Sequence, residues 1–153
     1  MPVMWIAAAL LSLTLAAPPP ELAWETFSPD RIEFAKRKNQ PALLAFWADW
    51  CMTCKMHGRV VFSSPEVIDA FAKTGVMPVR ADYTNEDPII SKWLEKLGRS
   101  SVPTYVLYVP NKKPRLLAEG LTIAMVTEPW RVLRSRLPRR RTSPTRRLAR
   151  GPK

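Results

Sequence analysis

The feature that most constrains this chain is the segment Leu43-Leu44-Ala45-Phe46-Trp47-Ala48-Asp49-Trp50-Cys51-Met52-Thr53-Cys54, which holds its only two cysteines. An apolar run of strand length, rich in residues that suit a buried strand, passes through a short polar break into a Cys-x-x-Cys pair. Two residues between cysteines fit one turn of helix, which brings the sulfurs close enough to bond with little backbone movement. A helix that begins at Cys51 points unpaired backbone N–H groups and the positive end of its dipole at that sulfur. Both favour thiolate over thiol, and thiolate is the form that attacks disulfides. Cys54, one turn further in, is then the more buried of the two and acts second.

Three chemistries compete for such a pair. Half of a zinc site needs about four ligands, and the only other soft ligand is His57, on the same helix. A purely structural disulfide closing so short a loop restrains little unfolded-chain entropy. A redox-active dithiol placed directly after a β-strand is the third reading. A dithiol carries its electrons on the two sulfurs, so no cofactor and no metal are expected.

The segment Phe46 to Lys55 resembles the active-site stretch of thioredoxin-fold proteins. It is most similar to the C-terminal, periplasmic thioredoxin-like domain of the DsbD family of transmembrane thiol:disulfide interchange proteins. The similarity continues through Arg80-Ala81-Asp82-Tyr83-Thr84-Asn85-Glu86-Asp87-Pro88 and through Leu97-Gly98-Arg99-Ser100-Ser101-Val102-Pro103-Thr104-Tyr105-Val106-Leu107-Tyr108, and covers roughly Trp24 to Val126. It implies a thioredoxin-like three-layer α/β sandwich with a central mixed sheet. It also implies a thiol:disulfide oxidoreductase, working as a reductase, with Cys51 as nucleophile and Cys54 as resolving thiol. Trp50 resembles the family tryptophan that shields the sulfurs. Val102-Pro103 resembles the loop whose proline is cis and faces the cysteines, although cis bonds make up only about 5–6% of X–Pro peptides. In that role the Val102 backbone would meet a docked substrate strand by β-augmentation.

One position departs from the pattern. The family's reductases bury a carboxylate six residues before the first cysteine, and here that residue is Ala45. Asp49 and His57 are the replacement proton acceptors the sequence offers. His57 is the sole histidine and titrates near neutrality by default, although a lone histidine on a helix is more often a surface residue, and Asp49 is more often solvated than catalytic. The missing acid leaves open a dithiol oxidase or isomerase, and a non-catalytic docking module is the alternative outside enzymes.

Net charge divides the chain. The total is +11, but ten of the cations lie from Pro129 onward with no acid among them, leaving +1 for residues 1–128. The organisation expected is a hydrophobic segment 1–20, a thioredoxin-like domain 21–137 and a basic, disordered tail 138–153. Val3 to Ala17 is nearly unbroken apolar and is stopped by Pro18-Pro19-Pro20. It is short for a membrane span of about twenty residues and lacks the basic start of a secretory signal. A membrane anchor or the remnant of a transmembrane helix, a cleaved signal, and a soluble buried helix are its three readings. The family implies the first: an inner-membrane protein with its domain facing the periplasm, or a periplasmic one after cleavage. The partners implied are oxidised extracytoplasmic proteins, a membrane-embedded dithiol donor acting in trans, and the membrane itself through the N-terminal segment. Arg139-Arg140-Arg141 and Arg146-Arg147 have no interleaved aromatic residue, so no nucleic acid is expected.

Within the domain, Ser28-Pro29 starts a helix with Ile32, Phe34 and Ala35 inward. Strand 42–47 follows, then a single active-site helix over 51–62 with Met56, Val60 and Val61 as core contacts. Ser64-Pro65 caps a helix ended by Gly75, and Val76 to Ala81 is a strand. Pro88 opens a helix over Ile89, Ile90, Trp93, Leu94 and Leu97. Strands 104–109 and 115–119 form a hairpin, and the last helix falls within 122–137, with Pro129 at its beginning or at a kink.

Overall fold

A computed structural model describes residues 20–136; the hydrophobic segment before Pro20 and the basic tail after Arg136 lie outside it. The elements run β1 (Glu25–Thr26), α1 (Pro29–Arg37), β2 (Ala42–Trp47), α2 (Met52–His57), a π-helical turn (Gly58–Phe62), α3 (Pro65–Thr74), β3 (Met77–Asp82), α4 (Pro88–Lys96), β4 (Thr104–Tyr108), β5 (Arg115–Leu116) and α5 (Ile123–Arg136).

The strands form one mixed sheet in the order β1-β3-β2-β4-β5. β2 lies at its centre, parallel to β3 and antiparallel to β4. Its six residues Ala-Leu-Leu-Ala-Phe-Trp are apolar throughout because both faces of a central strand are covered. Alternation along the strand divides them. Leu43 and Ala45 join Val61, Phe62, Val67, Phe71, Val126 and Trp130 under α3, α5 and the π turn. Leu44 and Phe46 join Ile32, Ala35, Ile90 and Leu94 under α1 and α4. Helices on both faces of a mixed sheet make the three-layer α/β sandwich that the sequence implies.

Local chemistry sets the boundaries. Ser28 and Ser64 are N-caps whose hydroxyls accept from the backbone N–H of Arg31 and Val67, each followed by proline at the first helical position. Gly75 ends α3 at φ +68°, a left-handed conformation in which a side chain is strained. Pro129 lies inside α5 rather than at its start.

Four expectations change. Phe34 stands exposed, since Ile32 and Ala35 are the buried residues of α1. The helix over 51–62 is instead α2 followed by the π turn. Met56 and Val60 are 54% and 60% exposed, whereas Val61 is buried as expected. β5 ends at Leu116, although the Leu117 N–H still donates to the Tyr105 carbonyl at 3.0 Å. Among the described residues, no helix is long and apolar enough to cross a membrane.

Candidate active site

β2 delivers the chain to one end of the sheet, where Ala48 is buried and Asp49 and Trp50 turn outward before α2 begins. The Cys51 N–H donates to the Ala48 carbonyl at 3.1 Å, closing that turn. Cys51 is the N-cap of α2, and its Sγ accepts from the Cys54 N–H at 3.1 Å. A sulfur in this place receives a helix-terminal N–H directly, which favours its anionic form. The two cysteines form a disulfide with a Cα–Cα distance of 5.2 Å. Cys51 is 6% exposed and Cys54 2%, so the first sulfur is the more accessible of the pair. Ala48, with Trp47 and Val102, packs against them.

The Val102–Pro103 peptide is cis, and Val102 reaches the cysteines from the loop before β4. Trp50 is 56% exposed. Its Nε1–H donates to the Thr84 carbonyl at 3.2 Å, and the Asp49 N–H donates to Thr84 Oγ1 at 2.9 Å. Thr84 is fixed in turn by Asp82, whose Oδ1 accepts from both the Thr84 N–H and its hydroxyl. Those two bonds hold the Asp82 carboxyl below the usual aspartate range, hydroxyl first and backbone second. The loop after β3 thus anchors the segment that presents Cys51. The sequence offers no chemical role for Tyr83-Thr84-Asn85; the geometry makes Thr84 an anchor. Only the register of β2 against β3, with Trp47 opposite Asp82, could have shown that 84 sits beside 49.

His57 is not a surface histidine. It is 4% exposed, one turn beyond Cys54 on the buried face of α2, and its Nδ1 lies 2.9 Å from the Tyr105 hydroxyl. Burial lowers its pKa, because the charged ring loses its water. Burial likewise raises that of Tyr105, so the hydroxyl keeps its proton and can donate to the imidazole. Asp49 is exposed.

Ala45, standing where the resemblance implies an acid, is flanked in register by Arg80 on β3 and Tyr105 on β4. The Arg80 guanidinium lies 4.6 Å from the Trp24 ring centre and 4.8 Å from that of Trp47. Among the described residues, no three of His, Cys, Asp and Glu come together to hold a metal ion.

A mixed sheet between two helical layers, with a Cys-x-x-Cys disulfide at the start of a helix and a cis proline beside it, defines a thioredoxin-type dithiol protein. The thioredoxin-like family model matches residues 23–110, more than half of the chain, and the chain belongs to that family. It is 36% identical over 62 residues to the thiol:disulfide interchange protein DsbE of Haemophilus influenzae, covering 40% of this chain and 30% of that protein. It is 35% identical over 74 residues to the thiol:disulfide interchange protein DsbD of Klebsiella pneumoniae, covering 48% of this chain and 12% of that protein. The chain therefore spans less than a third of either curated relative. The oxidised C-terminal domain of Neisseria meningitidis DsbD superposes with a TM-score of 0.57 at 21% identity, covering 67% of this chain and 90% of that domain. A thioredoxin from Thermus thermophilus superposes with a TM-score of 0.58 at 17% identity, covering 74% and 88%. These two structures bear on the fold.

Proposed function

We propose that the chain is a thiol:disulfide oxidoreductase that reduces protein disulfides outside the cytoplasm. The observation that carries this is Cys51 as helix N-cap, its Sγ accepting the Cys54 N–H and joined to Cys54 in a disulfide. In the reduced protein the Cys51 thiolate attacks one sulfur of a substrate disulfide, and the other substrate sulfur leaves as a thiolate. A mixed disulfide to Cys51 results. The Cys54 thiolate then attacks Cys51 Sγ and expels the second substrate thiolate. Two electrons pass to the substrate, its two sulfurs take up protons, and the Cys51–Cys54 disulfide is left. A donor dithiol recharges the pair by the same steps in reverse. The thiol:disulfide interchange proteins to which the chain is similar support this chemistry. The membrane-embedded donor, the extracytoplasmic substrates and the periplasmic setting belong to the proposal.

Cys54 must lose its proton before it attacks. His57 shares its buried helix face while Asp49 lies in water, so proton acceptance is assigned to His57. Val102, packed on the cysteines, is the backbone offered to a substrate strand, and Trp50, one residue before Cys51, is an exposed aromatic contact.

Insulin reduction with a chemical donor tests the reading. Cys51→Ser should abolish turnover, and Cys54→Ser should accumulate a mixed disulfide through Cys51. A Cys51→Ser variant that still reduces insulin ends the proposal. Direction is read from the reduction potential. A value near −270 mV, the thioredoxin figure, fits a reductase, and one near −120 mV an oxidase; the gap of about 150 mV is roughly 7 kcal/mol for two electrons.

A further inference from the structure

A cavity of about 500 Å³ opens beside the π turn, with Trp47 in its lining. Its cations are Lys55, Arg59 and Arg80; its aromatic walls are Trp24, Trp47 and Phe62. Glu21 is the one acid in the lining. Trp24 and Phe62 meet edge to face at 5.1 Å, which fixes one wall. The Arg80 guanidinium lies against the Trp24 and Trp47 rings, and among the described residues it has no hydrogen-bonded or ion-paired carboxylate. It is held beside the two indoles, and among the described residues none of its side-chain N–H groups has a hydrogen-bond acceptor. A planar fork of donors of this kind matches a carboxylate or phosphate group in bidentate fashion.

We propose that this cavity is a binding site for a small organic anion: a carboxylate or phosphate group on a planar apolar body. The acid head meets Arg80, with Arg59 and Lys55 adding charge, and the body lies along the aromatic walls. The volume falls in the usual range for small-molecule sites, about 300–1,000 Å³. A bare inorganic anion fills only the cationic end of such a space, and a neutral ring uses only the walls. Trp47 belongs both to this wall and to the packing around Cys51 and Cys54, so the two sites share a side chain. The proposal stands apart from the exchange chemistry and does not rest on it.

Calorimetric titration of the full oxidised chain with 2-naphthoate, 2-naphthylmethanol and inorganic phosphate tests it. Naphthoate should bind, with the neutral alcohol and phosphate each at least about tenfold weaker, since the alcohol lacks the charge-assisted hydrogen bond and phosphate lacks the contact with the aromatic walls. Arg80→Gln should lower naphthoate affinity by about tenfold or more and leave the alcohol unchanged. Arg59→Gln, at an exposed position where folding is safe, should lower it about threefold, as a peripheral charge does. Naphthoate that does not bind, an alcohol that binds equally well, or an affinity indifferent to both substitutions overturns the proposal. Phosphate as tight as naphthoate overturns the organic ligand class and leaves only an anion site.

Discussion

Thr84 controls how Cys51 is presented, because its side chain and backbone take up the N–H of Asp49 and the indole N–H of Trp50. Thr84→Val keeps the shape and removes the hydroxyl. The loss of its two exposed bonds, from the Asp49 N–H and to Asp82, should lower stability by about 1 kcal/mol in urea unfolding. The Asp82 pKa, held down first by that hydroxyl, should rise toward the ordinary aspartate value, as carboxylate NMR titration will show. Insulin reduction should slow severalfold, because the loop before Cys51 loses an anchor; an unchanged rate and an unchanged Asp82 pKa together would show that Thr84 anchors nothing. His57 gives the second test at this scale. Its folded pKa lies below the unfolded value of about 6.5, so the unfolded chain binds more protons as pH falls. Stability from burying the neutral ring is therefore complete above about pH 6.5 and is lost on acidification below it. His57→Gln should flatten this dependence in denaturation midpoints measured from pH 7.5 to 5. It should also slow resolution of a Cys51 mixed disulfide by about a hundredfold or more, the lower end of general-base catalysis, and remove the acid limb of its pH profile. Retention of that limb in the variant would assign the proton to another group. His57 was partly legible. A helix that buries Cys54 must bury the residues three and seven further on, which are His57 and Val61. Thr84 was not, since nothing local ties residue 84 to residue 49.

At the scale of elements, the caps and strand boundaries were readable because their causes are local. Serine before proline, an apolar run of strand length and glycine after a helix each act within a few residues. The phase of the active-site helix is ambiguous in the sequence because two apolar faces share the segment: Cys54, His57 and Val61 turn inward, while Met52, Met56 and Val60 turn out to solvent. The π turn that joins α2 to α3 leaves no mark in sequence beyond Gly58. Ser64 secures that junction. Its hydroxyl donates to the Val61 carbonyl at 2.8 Å and accepts from the Val67 N–H at 3.3 Å, and the residue is 8% exposed. Ser64→Ala should cost about 1 kcal/mol, the usual size for an N-cap, because the Val67 N–H loses its acceptor while the Val61 carbonyl keeps the Ser64 N–H at 3.2 Å. Thermal or urea unfolding at pH 7 measures this. A change within about 0.5 kcal/mol, the size of an ordinary surface substitution, would show that the turn is held by packing alone.

For the whole molecule, the layer made by α3 and α5 decides whether the sheet is covered on the face that carries Ala45, Tyr105 and the buried side of α2. Trp130 of α5 is 0% exposed and meets Phe71 of α3 edge to face at 6.3 Å. Truncation there removes the largest fully buried side chain among the described residues. Trp130→Ala should therefore cost about 3–5 kcal/mol, a large part of the 5–15 kcal/mol by which a domain of this size is stable. Its indole N–H is nevertheless buried with no hydrogen-bond partner among the described residues. An unpaired buried donor forfeits about 1–3 kcal/mol. Trp130→Phe keeps most of the ring, discards that donor and leaves a small void, so the two changes oppose each other. The phenylalanine variant should fall within about 1 kcal/mol of the wild type, while the alanine variant loses several. Urea midpoints of the two variants, with the Cys51–Cys54 disulfide intact, make the comparison. A phenylalanine variant as unstable as the alanine one would mean that the indole N–H is satisfied in solution. Water, or a group beyond the described residues, would then lie against α5. The layer behind the dithiol would be less dry than the geometry indicates, and His57, within that layer, would titrate closer to its ordinary pKa.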